Sequence, residues 1–181
     1  MKKLLIVIDM QNDFIDGSLG TPEAEAIVDA VKDKIRSYPA GDIFATMDTH
    51  GPDYLSSKEG EKLPVEHCIK GTPGWMLDED VEKALEGKGA VVVEKPTFGS
   101  MDVVKQVEAL VGNTLPEDPS GTVAEVTIIG LCTDICVVSN ALLLKAAGWK
   151  NMDFIVDSAC CAGTSAERHS AALETMASCQ I

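Results

Sequence analysis

Leu4-Leu5-Ile6-Val7-Ile8, closed by Asp9, is the stretch that decides the fold. Five consecutive aliphatic residues leave no polar face. A strand half open to water alternates apolar and polar side chains, whereas a strand covered on both faces reads as one apolar run. Ile43-Phe44-Ala45-Thr46, Ala90-Val91-Val92-Val93, Val126-Thr127-Ile128-Ile129 and Met152-Asp153-Phe154-Ile155-Val156 repeat the pattern. Helical spacing fills the gaps. Residues 23–38 place Ala26, Ile27, Ala30, Val31 and Ile35 on one stripe, and residues 100–111, 135–147 and 165–177 behave alike, with Gly148 placed to cap the third helix. Strands alternating with helices imply right-handed crossovers. The expected architecture is α/β, a three-layer doubly wound parallel sheet.

The chain has 181 residues, enough for one domain, 1–181, with a core that needs no disulfide staples. Its formal charge of −14 repels phosphate backbones and anionic lipid, so neither nucleic acid nor membrane is an expected partner. Met1-Lys2-Lys3 and the following apolar run resemble a secretory leader only briefly, because Asp9 interrupts a run that is already too short. A cytoplasmic protein is expected. Six cysteines without a C-x-x-C pair then read as free thiols, most of them small buried hydrophobes.

Two segments break the alternation. Residues 112–121, with Gly112, Pro116, Pro119 and Gly121, read as an exposed turn region. Residues 48–78 carry seven glycines and prolines and two of the three histidines, and a loop this long is usually functional. The third histidine, His169, lies in the last helical segment and reads as structural.

Ligands of open parallel sheets bind beyond the carboxyl ends of the strands. Asp9 ends the first strand, Asp48 the second and Lys95 the third; Gly130 to Cys136 leads from the fourth into a helix. Each has an ordinary reading on its own: a turn-capping aspartate, a solvated lysine, an inert thiol. Together they place an acid, a cation and a thiol at one rim. A cysteine at a helix start beside an ammonium is expected to have a pKa below its usual ~8.5. Asp9 can take the thiol proton and later return one to a leaving amine. The N–H groups that open the helix suit a developing oxyanion.

Ile6-Val7-Ile8-Asp9-Met10-Gln11-Asn12-Asp13-Phe14, Glu94-Lys95-Pro96-Thr97-Phe98-Gly99-Ser100 and Gly130-Leu131-Cys132-Thr133-Asp134-Ile135-Cys136-Val137 resemble, in this order, three blocks of the isochorismatase-like cysteine hydrolases. The resemblance spans nearly the whole chain and is closest to the nicotinamidase-related branch. It implies a sheet of about six parallel strands and a triad of Cys136, Asp9 and Lys95. It also implies a cis peptide before Cys132, with the N–H groups of Cys132 and Cys136 as oxyanion donors. Asp48-x-His50 with His67 is similar to the metal site of nicotinamidases, and suits Zn, Fe or Mn. Glu59 or Glu61 could complete it, with Glu59 preferred. Absent a metal, the same residues would form a structural Asp–His bond. No organic cofactor is implied.

Phe14 stands where that branch places a phenyl ring, but Leu63-Pro64 replaces its usual tryptophan, leaving Leu63 and the downstream Trp75 as candidate substrate walls. The implied reaction is cleavage of a small amide through a thioester, with nicotinamide the leading named substrate and other amides, ureides and carbamoyl compounds open. Isochorismate hydrolysis is disfavoured, since that branch lacks the nucleophilic cysteine. The non-enzymatic alternative is an interaction module or thiol redox sensor. Ala141-Leu142-Leu143-Leu144 and the resemblance together suggest a homo-oligomer.

Overall fold

The computed structural model describes residues 2–112, 123–147, 149 and 152–181. Gly148 and residues 113–121 of the expected turn region lie outside the described residues. Five parallel strands form one sheet: β1 (Lys2–Ile8), β2 (Ile43–Asp48), β3 (Val91–Lys95), β4 (Val123–Leu131) and β5 (Asp153–Ala162). Their order is β3-β2-β1-β4-β5, which puts the apolar run of β1 at the centre. Ile6 pairs with Phe44 on one side and Ile128 on the other. The resemblance implied about six strands. Among the described residues there are five, one for each apolar run.

Both faces of β1 are covered, which is why its sequence has no polar side. Leu4, Ile6 and Ile8 join one core with Val103 and Val107 of α5 (Met101–Gly112), Ala141 and Leu144 of α6 (Val138–Ala146) and Met176 of α7 (Ala166–Ser178). Leu5 and Val7 join the other with Val31 and Ile35 of α3 (Val28–Ser37) and Val81 and Leu85 of α4 (Glu79–Leu85). At roughly 1.5–3 kcal/mol per fully buried aliphatic side chain, these two layers supply the main driving force for folding. Ala141 and Leu144 are wholly buried. The apolar stretch around them is therefore explained by the core and does not by itself mark a subunit interface. No helix among the described residues is long and apolar enough to cross a membrane.

The helix expected over 23–38 is two: α2 (Pro22–Ala26), capped by the Thr21 hydroxyl accepting from Ala24 N–H, then α3, with Ile27 between them. The apolar stripe continues through the break, so spacing alone does not show it. Short α1 (Asn12–Ile15) and α4 fall below the length at which a helical stripe stands out. The helix expected from 135 begins instead as a π turn, Thr133–Val137, before α6.

Gly130 gives the sheet its most demanding backbone position. It has φ +115° and pairs with Ile8, and a β-carbon there would lie 2.1 Å from the Ile8 carbonyl oxygen. Neither atom can yield without parting β1 from β4. Gly130→Ala is expected to lose on the order of 2–4 kcal/mol in urea denaturation. A loss below about 0.5 kcal/mol would show that the two strands are not held this closely.

Candidate active site

Parallel strands end at one rim, and the adjacent ends of β2 and β3 set Asp48 directly beside Lys95. Lys95 is only 1% exposed, and a buried ammonium must be matched by charge and hydrogen bonds. Its Nζ lies 2.7 Å from Asp9 Oδ2 and 3.3 Å from Asp48 Oδ1. It also donates to the Thr97 carbonyl at 3.1 Å and to Cys136 Sγ at 3.4 Å.

Asp9, fully buried, follows β1 with φ +48°, a left-handed conformation that aspartate tolerates better than most residues. Thr46 on β2 fixes it twice: its hydroxyl donates to Asp9 Oδ1 at 2.6 Å and accepts from Asp9 N–H at 3.2 Å. Asp9 Oδ2 is differently placed. It forms the ion pair with Lys95 off the hydrogen-bond direction, and has no aligned donor among the described residues. One lone pair of a buried carboxylate is thus left for another proton.

Electrostatics corrects one expectation. Burial pushes the Cys136 thiol well up, the nearby Asp9 charge adds to this, and Lys95 opposes without prevailing. The expected thiolate fails for two physical reasons. Cys136 is only 4% exposed, and it sits inside the π turn rather than in the first turn of a regular helix. The resting thiol therefore keeps its proton. Burial also raises Asp9, with Lys95 as the main opposing influence. For Lys95, burial favours the neutral amine, but Asp9, Cys136 and Asp48 together outweigh it and hold the ammonium above its ordinary pKa.

A second cluster adjoins the first through Asp48. Its Oδ2 lies 3.0 Å from His50 Nε2 and 3.7 Å from His67 Nε2. Glu59 Oε1 lies 3.8 and 3.9 Å from the same two nitrogens. His67 Nδ1 donates to the Val65 carbonyl at 2.8 Å, which leaves the Nε2 lone pair facing the cluster. Asp48, His50 and His67 each offer a ligand atom within 4.8 Å of the others, so the donor set fits a divalent metal. Glu59, not Glu61, stands beside them; Glu61 pairs with Lys58 on the surface. Burial works against the Asp48 carboxylate, but His50 and Lys95 prevail and hold its pKa low.

A cavity of about 350 Å³ opens onto both clusters. Cys132, Cys136, Asp48, Glu59 and His67 line it, with Phe14 and Leu63 on its apolar side. Trp75 is not among its lining residues. Its indole N–H donates to Thr49 Oγ1 at 2.9 Å, and its ring faces the Lys70 ammonium. The wall is instead extended by Leu19, Phe98, Ile135 and Arg168, none of which the sequence reading selected. Phe98 could have been found, because it lies in the same block as Lys95. Arg168 carries no such signal. His169 supports the turn: its Nδ1 lies 2.8 Å from the hydroxyl of buried Thr133. The Leu131–Cys132 peptide is cis, and all six cysteines are free.

Residues 3–181 match a family model described as the isochorismatase domain. The nicotinamidase/pyrazinamidase of Mycobacterium tuberculosis is 31% identical over 99% of this chain and 96% of that relative. Among solved structures, the pyrazinamidase of Pyrococcus horikoshii in complex with zinc has a TM-score of 0.72 at 27% identity. That likeness covers 100% of this chain and 97% of the other. The N-carbamoylsarcosine amidase of Thermoplasma acidophilum gives a TM-score of 0.67 at 25% identity, over 98% and 94% of the two chains.

The metal cluster carries its own prediction. Competition with a chromophoric chelator is expected to show zinc binding to metal-stripped protein, and His67→Ala is expected to weaken it by roughly 100-fold or more. Equal affinity in the variant would remove His67 from the donor set.

Proposed function

Because the chain belongs to the isochorismatase family, we propose that it is a cysteine amidohydrolase that cleaves a small heteroaromatic carboxamide of the nicotinamide or pyrazinamide kind. The products are the carboxylate and ammonia. One observation carries the reading: Lys95 holds Asp9 at 2.7 Å and Cys136 Sγ at 3.4 Å, on a cavity shared with a metal donor set.

Chemistry begins from the protonated thiol. Cys136 passes its proton to the open lone pair of Asp9 Oδ2 as Sγ attacks the amide carbon. The negative charge moves to the carbonyl oxygen, for which the N–H groups of Cys132 and Cys136 are the proposed donors. Protonated Asp9 then gives its proton to the departing nitrogen, ammonia leaves, and a thioester remains on Cys136. Asp9 next takes a proton from water, whose oxygen attacks the thioester. Collapse of this adduct breaks the C–S bond, the acid departs, and Asp9 returns the proton to Sγ, which restores the thiol. Lys95 stays charged throughout and balances the negative charge as it shifts between Asp9 and Sγ.

Asp48, His50 and His67, with Glu59 alongside, would hold the metal. A divalent ion there would supply Lewis-acid affinity for a donor atom on the substrate ring. Phe14 and Leu63 provide apolar contact for the ring.

The N-carbamoylsarcosine amidase neighbour supports a second reading in which the scissile group is a carbamoyl nitrogen. Ammonia release should be measured on nicotinamide, pyrazinamide and N-carbamoyl amino acids. Turnover is expected on the first two, abolished by Cys136→Ala, and reduced roughly 10²- to 10⁴-fold by Asp9→Asn. Turnover of only the carbamoyl compounds would favour the second reading. No ammonia from any of the three would overturn the assignment.

A further inference from the structure

Lys95 and Cys136 belong to segments far apart in sequence, yet Nζ and Sγ meet at 3.4 Å with both groups buried. Contact between two such separated segments needs something that holds them to a common position. Lys95 is followed by a loop, residues 96–100, whose Thr97 carbonyl accepts from Nζ at 3.1 Å. Moving that loop moves a partner of the ammonium. What fixes the loop against the nucleophile turn is Asn140, on the first turn of α6 and 1% exposed.

Its side-chain amide reaches three backbone groups. Nδ2 donates to the Cys136 carbonyl at 2.8 Å and to the Phe98 carbonyl at 3.0 Å. Oδ1 accepts from the Ser100 N–H at 3.0 Å. Two donors and an acceptor in one rigid plane are what a carboxamide offers, and both of its N–H groups are spent. The loop also lies directly on the helix: a β-carbon on Gly99 would come within 2.6 Å of Leu143 Cδ1.

We propose that Asn140 is a positioning residue that locks the Lys95 loop to the Cys136 turn, and so sets the reactivity of the thiol and the shape of the cavity wall at Phe98. Asn140 touches no reacting atom. It acts through the backbone on each side of the Nζ–Sγ contact. The kinetic part of this inference rests on the amidohydrolase reading; the thiol-reactivity part does not.

Asn140→Asp keeps the volume and the acceptor but loses both donors, and faces two carbonyls with negative charge. Asn140→Ser is uncharged and too short to span the gap. For each variant, alkylation of Cys136 by iodoacetamide should be followed by peptide mass spectrometry at a fixed neutral pH, with exposed Cys179 as the internal control. Circular dichroism establishes that the protein is folded.

The expected result is Cys136 alkylation slowed about tenfold with Cys179 unchanged. On an amide that the wild type turns over, kcat should fall roughly 10- to 100-fold with a much smaller change in KM. A purely structural role would lower the melting temperature and leave Cys136 alkylation and kcat in the folded protein at wild-type values; that result overturns the proposal. So does failure of both variants to fold, which would make Asn140 a folding determinant. If wild-type protein releases no ammonia from any amide but its Cys136 alkylation still depends on Asn140, the functional reading fails and this inference stands.

Discussion

An ammonium buried at the carboxyl edge of a parallel sheet is the constraint on which the rest of this molecule depends. Lys95 cannot be removed from water without compensation, since the desolvation of a lone charge costs several kcal/mol. Compensation comes from two carboxylates on two other strands, Asp9 after β1 and Asp48 at the end of β2. The sheet order, with β1 and β2 adjacent and β3 at the edge, makes that meeting possible. Burial pushes the Cys136 thiol up, and the Asp9 and Asp48 charges add to this against the opposing Lys95, so the thiol is protonated at rest.

Asp48 gives the site its second character. Its two oxygens face different clusters: Oδ1 faces Lys95, and Oδ2 faces His50 and His67. The group that neutralises the lysine is thus also the carboxylate of the metal donor set. On the proposed reading, that one side chain would couple placement of a substrate ring to activation of the thiol. This arrangement also accounts for the long loop between β2 and α4. It must leave the sheet, return His67 and Glu59 to the Asp48 end, and supply Leu63 to the cavity wall.

Much of this was legible in the sequence for a simple reason. Asp9, Asp48 and Lys95 each close an apolar run, and parallel strands bring such endings to the same rim. The unbroken apolar character of Leu4 to Ile8 announced cover on both faces, and both cores are there. Other features depend on packing that no local pattern records. The break at Ile27 leaves the apolar stripe intact. The protonation of Cys136 depends on how deeply the π turn is covered, and proximity to a lysine was the wrong guide. Trp75 follows the histidine loop, but its indole is committed to Thr49. Asn140 reads in sequence as an ordinary polar residue in a helix, and only the burial of its amide between two loops gives it meaning.

Covalent catalysis by Cys136 is the claim on which the functional account turns. Its most direct test is rapid acid quench of the protein during turnover of nicotinamide or pyrazinamide, followed by mass spectrometry of the Cys136 peptide. The account predicts an added acyl group on Cys136 that appears with the first turnover, is absent from Asp9→Asn, and disappears when substrate is exhausted. Steady turnover of the same amide by Cys136→Ala at the wild-type rate, with no acyl group on any cysteine of the wild type, would contradict it.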